Sequence, residues 1–74
     1  MTSTKNYRTP GDIRITQQMK KTAYNDYTVK TWIQNPNQKT PTLIANDENL
    51  SRKEARQRLS DQMEYAEDLI ENYK

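Results

Sequence analysis

Between Asp12 and Ile33 apolar side chains fall on alternate positions, and that period leaves the chain few ways to fold. In "DIRITQQMKKTAY" Ile13, Ile15, Met19 and Ala23 take odd positions while Arg14, Thr16, Gln18, Lys20 and Thr22 take even ones. In "YTVKTWI" Tyr27, Val29 and Ile33 are again odd, and Thr28, Lys30 and Trp32 lie opposite. A period of two marks a strand buried on one face only. Tyr24, Asn25 and Asp26 separate the runs, and Asn and Asp tolerate the left-handed backbone of tight turns.

A one-residue slip between these strands would carry a whole face to the other side of the sheet. A two-residue Asn25-Asp26 turn pairs Ala23 with Thr28 and mixes apolar with polar residues. A three-residue loop pairs Ala23 with Tyr27, Met19 with Thr31 and Lys20 with Lys30, so it is the register expected. "NPNQ" at 35–38 then has Pro in the second place of a turn and Asn on either side, suited to type I geometry. It leads to a third strand in "KTPTLIA", placed at an edge because Pro41 has no N–H for a ladder. If Asn35 faces Gln38, Val29 pairs with Ile44, Thr31 with Thr42 and Lys30 with Leu43.

"NLSRKE" opens a helix. Ser51 as N-cap with Glu54 three residues on forms a capping box, and Leu50 before the cap can staple against Ala55. At about 100° per residue Ala55, Leu59, Gln62, Met63, Ala66, Leu69, Ile70 and Tyr73 share one stripe. The fold expected is therefore α+β: a three-stranded antiparallel sheet with one C-terminal amphipathic helix on its odd face (β-β-β-α). Residues 1–11 are read as a flexible N-terminal segment and 12–74 as a single small domain.

Composition narrows the chemistry. The 74 residues contain no Cys and no His, which removes disulfides, thiolate metal sites and the commonest general base and metal ligand. No metal or other cofactor is expected. The chain holds no Gly-rich phosphate loop and no nucleophile elbow, and its carboxylates crowd on one helix, so no catalytic residue is assigned. With 31% hydrophobic and 30% charged residues the profile approaches that of disordered chains, but the clean periodicities argue for folding. A core this small supplies only about 3–5 kcal/mol. No apolar run is long enough to span a membrane and the first residues lack the apolar centre of a secretory signal, so a cytoplasmic protein without membrane contact is expected. The tyrosines at 7, 24, 27, 65 and 73 are read as half-buried packing residues.

Charge is divided along the chain. Residues 1–46 hold seven basic and two acidic residues, and residues 47–74 five and eight, an asymmetry that points to an anionic partner for the basic half. The even face of the sheet would show Arg14, Gln18, Lys20, Lys30, Trp32 and Leu43, with Lys39 at the nearby turn. Cations with an exposed aromatic suit nucleic acid, and the same set suits an acidic protein surface. On the helix, Arg52 and Arg56 lie near the positive end of the macrodipole and Glu64, Glu67 and Glu71 near the negative end, each misplaced by about 0.3–1 kcal/mol. An antiparallel second copy would set basic halves against acidic halves, and two-fold contacts are self-complementary in this way.

A three-stranded sheet followed by a helix opening "LSRKEARQRL" broadly resembles the small arm-binding domains of phage integrases. That likeness implies DNA contact through the sheet, although the Gly-rich strand turns of those domains are absent here. In size and in lacking catalytic residues the chain also looks like small phage inhibitors such as anti-CRISPR proteins. Three roles follow as expectations: an accessory or inhibitor protein docking on a nucleic-acid-handling protein or nucleoprotein, a direct DNA or RNA binder using the basic sheet face, and a homodimer joined through the helix. Replacing Ser51 by Ala should leave a first-turn amide unsatisfied and lower stability by about 0.5–2 kcal/mol; denaturant unfolding measures this, and an unchanged midpoint would place the helix start elsewhere.

Overall fold

The computed structural model describes residues 2–24 and 26–72. Four strands, β1 (Thr2–Arg8), β2 (Arg14–Ala23), β3 (Asp26–Gln34) and β4 (Thr42–Leu50), precede one helix, α1 (Arg52–Asn72). They form an antiparallel sheet in the order β1-β2-β3-β4, so the sheet has four strands where the sequence reading expects three. The additional strand comes from the segment before residue 12. Every residue of β1 is exposed, and Tyr7 is its sole large apolar residue, so it has no alternation to betray it.

The β1–β2 connection is a tight loop. Asp12 N–H donates to the Thr9 carbonyl at 3.0 Å, Thr9 N–H to the Ile13 carbonyl at 2.9 Å, and Ile13 N–H to Thr9 Oγ1 at 3.2 Å. Asp12 takes the left-handed conformation, with φ 60°, which Asp tolerates better than most residues.

Between β2 and β3 the register differs from the one expected. Ile15 faces Ile33, Met19 faces Val29, Lys20 faces Thr28 and Lys30 faces Gln18. Ala23 pairs with Asp26, and the register shifts between Lys21 and Ala23, leaving Thr22 as one extra residue. The connection is thus a two-residue one, of which Asn25 lies outside the described residues, and the bulge restores the parity that such a turn alone would break. From Ile15 and Ile33 to Lys21 and Tyr27 the odd positions still share one face. Tyr24, at the tip, is 86% exposed and does not pack as expected; the Lys21 ammonium lies 6.0 Å from its ring centre.

The β3–β4 turn closes as read, Gln38 N–H donating to the Asn35 carbonyl at 3.0 Å. Beyond it the pairing is Ile33 with Thr42, Trp32 with Leu43, Thr31 with Ala45 and Val29 with Asp47, in place of the expected Val29–Ile44, Thr31–Thr42 and Lys30–Leu43. A shift between Thr31 and Trp32 makes Ile44 an extra residue. Ile44 and Ala45 can then both turn inward while Leu43 stays outward. A second shift between Tyr27 and Val29 coincides with Asn49 at φ 58° and delivers Leu50 to the core.

The capping box is formed. Glu54 N–H donates to Ser51 Oγ and Ser51 N–H to Glu54 Oε1, both at 3.1 Å. The bond from the Ser51 backbone, then the Ser51 side chain, holds the Glu54 carboxyl below its ordinary value of 4.5. A depressed carboxyl stabilises the fold above its unfolded pKa, and this contribution fades as pH falls below about 4.5. Leu50 and Ala55 meet in one apolar cluster with Val29, which is the expected staple. Of the predicted stripe, Ala55, Gln62 and Ala66 are buried, Leu59, Met63, Leu69 and Ile70 are half-buried, and Tyr73 lies outside the described residues. Arg58 meets Asp47 and Asp61, each at 3.7 Å, and not Glu54 one turn before it. Among the described residues no helix is long and apolar enough to cross a membrane.

Helix and sheet meet across two small apolar clusters, one of Ile15, Ile33 and Ala66, the other of Val29, Leu50 and Ala55. Between them runs a buried polar chain. Gln17 Nε2 donates to Thr31 Oγ1 at 3.2 Å and to the Leu59 carbonyl at 2.8 Å. Thr31 Oγ1 in turn donates to Gln62 Oε1 at 2.6 Å. Gln62 Nε2 donates to the Val29 carbonyl at 3.2 Å and to Asp47 Oδ2 at 2.8 Å. Among the described residues no buried side-chain polar atom is left unpartnered. Thr31→Val keeps the shape but strands Gln62 Oε1, a loss of about 1–3 kcal/mol; urea unfolding should show it, and an unchanged midpoint would mean the bond is not made in solution.

Candidate functional site

Strand pairing assigns the face turned away from α1. Cross-strand partners lie on the same face of a sheet, and from Lys20 and Thr28 to Arg8, Arg14 and Gln34 even positions of β1, β2 and β3 oppose one another; only past the Thr22 bulge does Asp26 meet an odd residue, Ala23. The outer face is thus a set of rows. One runs Asn6, Thr16, Trp32, Leu43; its neighbours run Thr4, Gln18, Lys30, Asn46 and Arg8, Arg14, Gln34; Thr2, Lys20 and Thr28 make the last.

Trp32 sits mid-sheet in this array. It belongs to neither apolar cluster, is half-buried and has Thr16 and Leu43 as cross-strand partners. The N-terminal segment does not fold over the indole as a further layer; it lies alongside β2 as strand β1. Leu43 beside it is 46% exposed. Together they make a small apolar centre in a polar surround, where the Thr16 hydroxyl donates to Asn6 Oδ1 at 2.8 Å.

Six residues expected here, Arg14, Gln18, Lys20, Lys30, Trp32 and Leu43, share this face, since parity survives the register error. Lys39 is exposed in the bend after the β3–β4 turn, at the end of the sheet that carries Arg14 and Gln34. The direct opposition expected of Lys20 and Lys30 is absent, and the two are diagonal neighbours. The opposed like-charge pair is Arg8 with Arg14. Arg8 escapes a reading that leaves β1 out of the sheet; the signal available was "RTPGDIR", two arginines flanking a Pro-Gly turn.

Among the described residues none of Arg8, Arg14, Lys20 and Lys30 has an acidic partner within 4.0 Å. Asp12 comes nearest in setting, lining with Arg8, Arg14, Gln34 and Gln38 a hollow of about 370 Å³ at the loop end of the face. Asp26 and Glu48 fall at the opposite end by strand position. The middle and loop end are therefore the electropositive part, rich in amide and hydroxyl groups. No grouping of carboxylates able to hold a metal ion occurs among the described residues.

The helix residues expected at a self-contact, Arg52, Arg56, Glu64, Glu67 and Glu71, are all exposed. Arg56, Glu64 and Glu67 border a trough of about 730 Å³ between α1 and β1, on the side of the sheet opposite Trp32. Compared with known proteins, the chain matches no family model, and no curated sequence or solved structure is significantly similar to it.

Like charges directly across a strand pair are destabilising, so Arg8→Glu should raise stability by about 0.2–1 kcal/mol, with a smaller gain at high salt. Urea unfolding at two ionic strengths measures it, and a loss of stability would show that Arg8 and Arg14 do not oppose each other.

Proposed function

We propose that this protein is a non-enzymatic binding protein whose outer sheet face engages nucleic acid. The observation that carries the reading is the array of unpaired cations Arg8, Arg14, Lys20 and Lys30 among Asn6, Thr16, Gln18, Gln34 and Asn46 on one uncovered surface. Guanidinium and ammonium groups hold phosphates or the O6 and N7 of guanine, and side-chain amides match adenine. Three adjacent strands measure about 10 Å between their outer axes at about 4.8 Å spacing, close to the roughly 12 Å width of the B-DNA major groove. Trp32 adds a stacking surface for an unpaired base.

A second reading is supported by Leu43. Nearly half exposed beside Trp32 and ringed by polar residues, it makes this face also resemble the anchor and rim of a protein interface. On that reading the protein docks on an acidic surface of a nucleic-acid-handling protein as an accessory or inhibitor.

Salt dependence separates the two. Titrating duplex and single-stranded oligonucleotides while following Trp32 fluorescence should give binding whose log–log salt slope, for about two to four phosphate contacts on duplex, is about −1.8 to −3.6. Arg14→Glu and Lys30→Glu should each make that slope shallower by about one, and Trp32→Ala should weaken single-strand binding while circular dichroism stays unchanged. Absence of binding to either form at low salt would contradict the nucleic-acid reading and leave the protein-docking one, for which a lysate pull-down with and without nuclease identifies the partner.

A further inference from the structure

The inner face of β1 is open. α1 packs chiefly on β3, less on β4 and β2, and its backbone keeps more than 8 Å between Cα atoms from β1, so Ser3, Lys5 and Tyr7, opposite Met19, Gln17 and Ile15, have no helix packed directly above them. β1 lies two strands from β3, a lateral distance of about 10 Å. Packed helices stand about 8–10 Å apart, so the uncovered strip has the width of one helix.

Its floor is apolar and adaptable. Tyr7 is 42% exposed, and Met19, Leu59 and Met63 are half-buried along the trough; methionine surfaces reshape readily around a partner. Through Ser3 and Met19 the trough continues into a second hollow of about 460 Å³ that includes Lys21 and Arg52. Charge is graded along it, with Lys21, Arg52 and Arg56 toward the start of α1 and Glu64 and Glu67 further on. None of these five has an opposite partner within 4.0 Å among the described residues.

We propose that this trough is the docking site for one amphipathic α-helix of a partner protein. It lies antiparallel to α1, with acidic residues in its C-terminal half against Arg52 and Arg56 and basic residues in its N-terminal half against Glu64 and Glu67. The macrodipoles also favour that direction, each positive end meeting a negative one. From Arg52 to Glu67 the helix rises about 22 Å, which about fifteen residues of partner helix would match.

A second copy of this protein has the required charge order but cannot occupy the trough as a closed pair. A two-fold axis normal to the sheet, placing α1 of the copy beside α1, would drop β3 of the copy about 10 Å from β3, onto β1 itself. Turning the second sheet over while keeping the helices antiparallel requires a screw relation, which does not close. A helix freed from its sheet has neither difficulty.

The detached α1 sequence, residues 51–72, is therefore a suitable probe as an end-blocked synthetic peptide. Titrated into isotope-labelled full-length protein, it should shift the amide signals of Ser3, Lys5, Tyr7 and Met63 and leave those of Trp32 and Leu43 in place. The double variant Glu64→Lys, Glu67→Lys of the full-length protein, altered only at exposed positions, should bind the peptide about fivefold or more weakly with unchanged circular dichroism. Three results would overturn the proposal: no shifts along the trough at millimolar peptide, shifts centred on Val29 and Ile33 as the peptide displaces the resident helix, or an affinity indifferent to the charge reversal. Because the nucleic-acid reading is followed at Trp32, on the opposite side, the two can fail independently.

Discussion

The hydrogen-bonded chain from Gln17 through Thr31 to Gln62 sets how helix and sheet meet. Its three side chains are almost fully withdrawn from water, so each polar atom depends on its neighbour: a buried amide or hydroxyl without a partner costs about 1–3 kcal/mol. An apolar contact tolerates sliding, whereas this one does not. Moving α1 by one residue would turn Gln62 by about 100° and shift it by about 1.5 Å, breaking its bonds to Thr31, Val29 and Asp47 together. The apolar clusters on either side are small and include two alanines, so they add burial without specifying position. The polar chain selects one arrangement among several that the clusters alone would permit.

Three further features follow from that position. With Gln62 held above Thr31, α1 lies over β3, and β1 is left bare on the helix side. Among the described residues no layer covers the sheet's other face, which leaves Trp32, Leu43 and the arginines and lysines around them open. Bulges at Ile44 and Asn49 fit β4 to the same constraint by turning Ile44, Asp47 and Leu50 inward along one strand. They also disturb the outer edge of β4, and an inward charge such as Asp47 is a common device against edge pairing. On β1 that protection falls to Lys5 alone.

Much of this was legible where the signal is local. Ser51 and Glu54 specify the helix start within four residues, and the period of two assigns faces whatever the register. That is why Arg14, Lys20, Lys30, Trp32 and Leu43 group together although no cross-strand pair assigned to them was right. Register was not legible, because it depends on single extra residues at Thr22, Ile44 and Asn49, whose places are decided by what the helix must reach. β1 was hidden by having one large apolar residue in seven, and Arg8 was lost with it. Gln17 and Thr31 occupy the core face, but as polar residues they read as interruptions of the pattern; only Gln62, inside the helix stripe, hinted that polar groups lie between helix and sheet.

The central claim is that a buried amide–hydroxyl–amide chain locks the helix onto the sheet, and the side-chain amide protons of Gln17 and Gln62 report on it directly. Measured by nuclear magnetic resonance in the intact protein, both Nε2 groups should exchange with solvent far more slowly than those of exposed Gln57, with nuclear Overhauser contacts from Gln62 to Val29 and from Gln17 to Leu59. Exchange at the rate of a surface glutamine, or the absence of those contacts in an otherwise folded protein, would contradict the account.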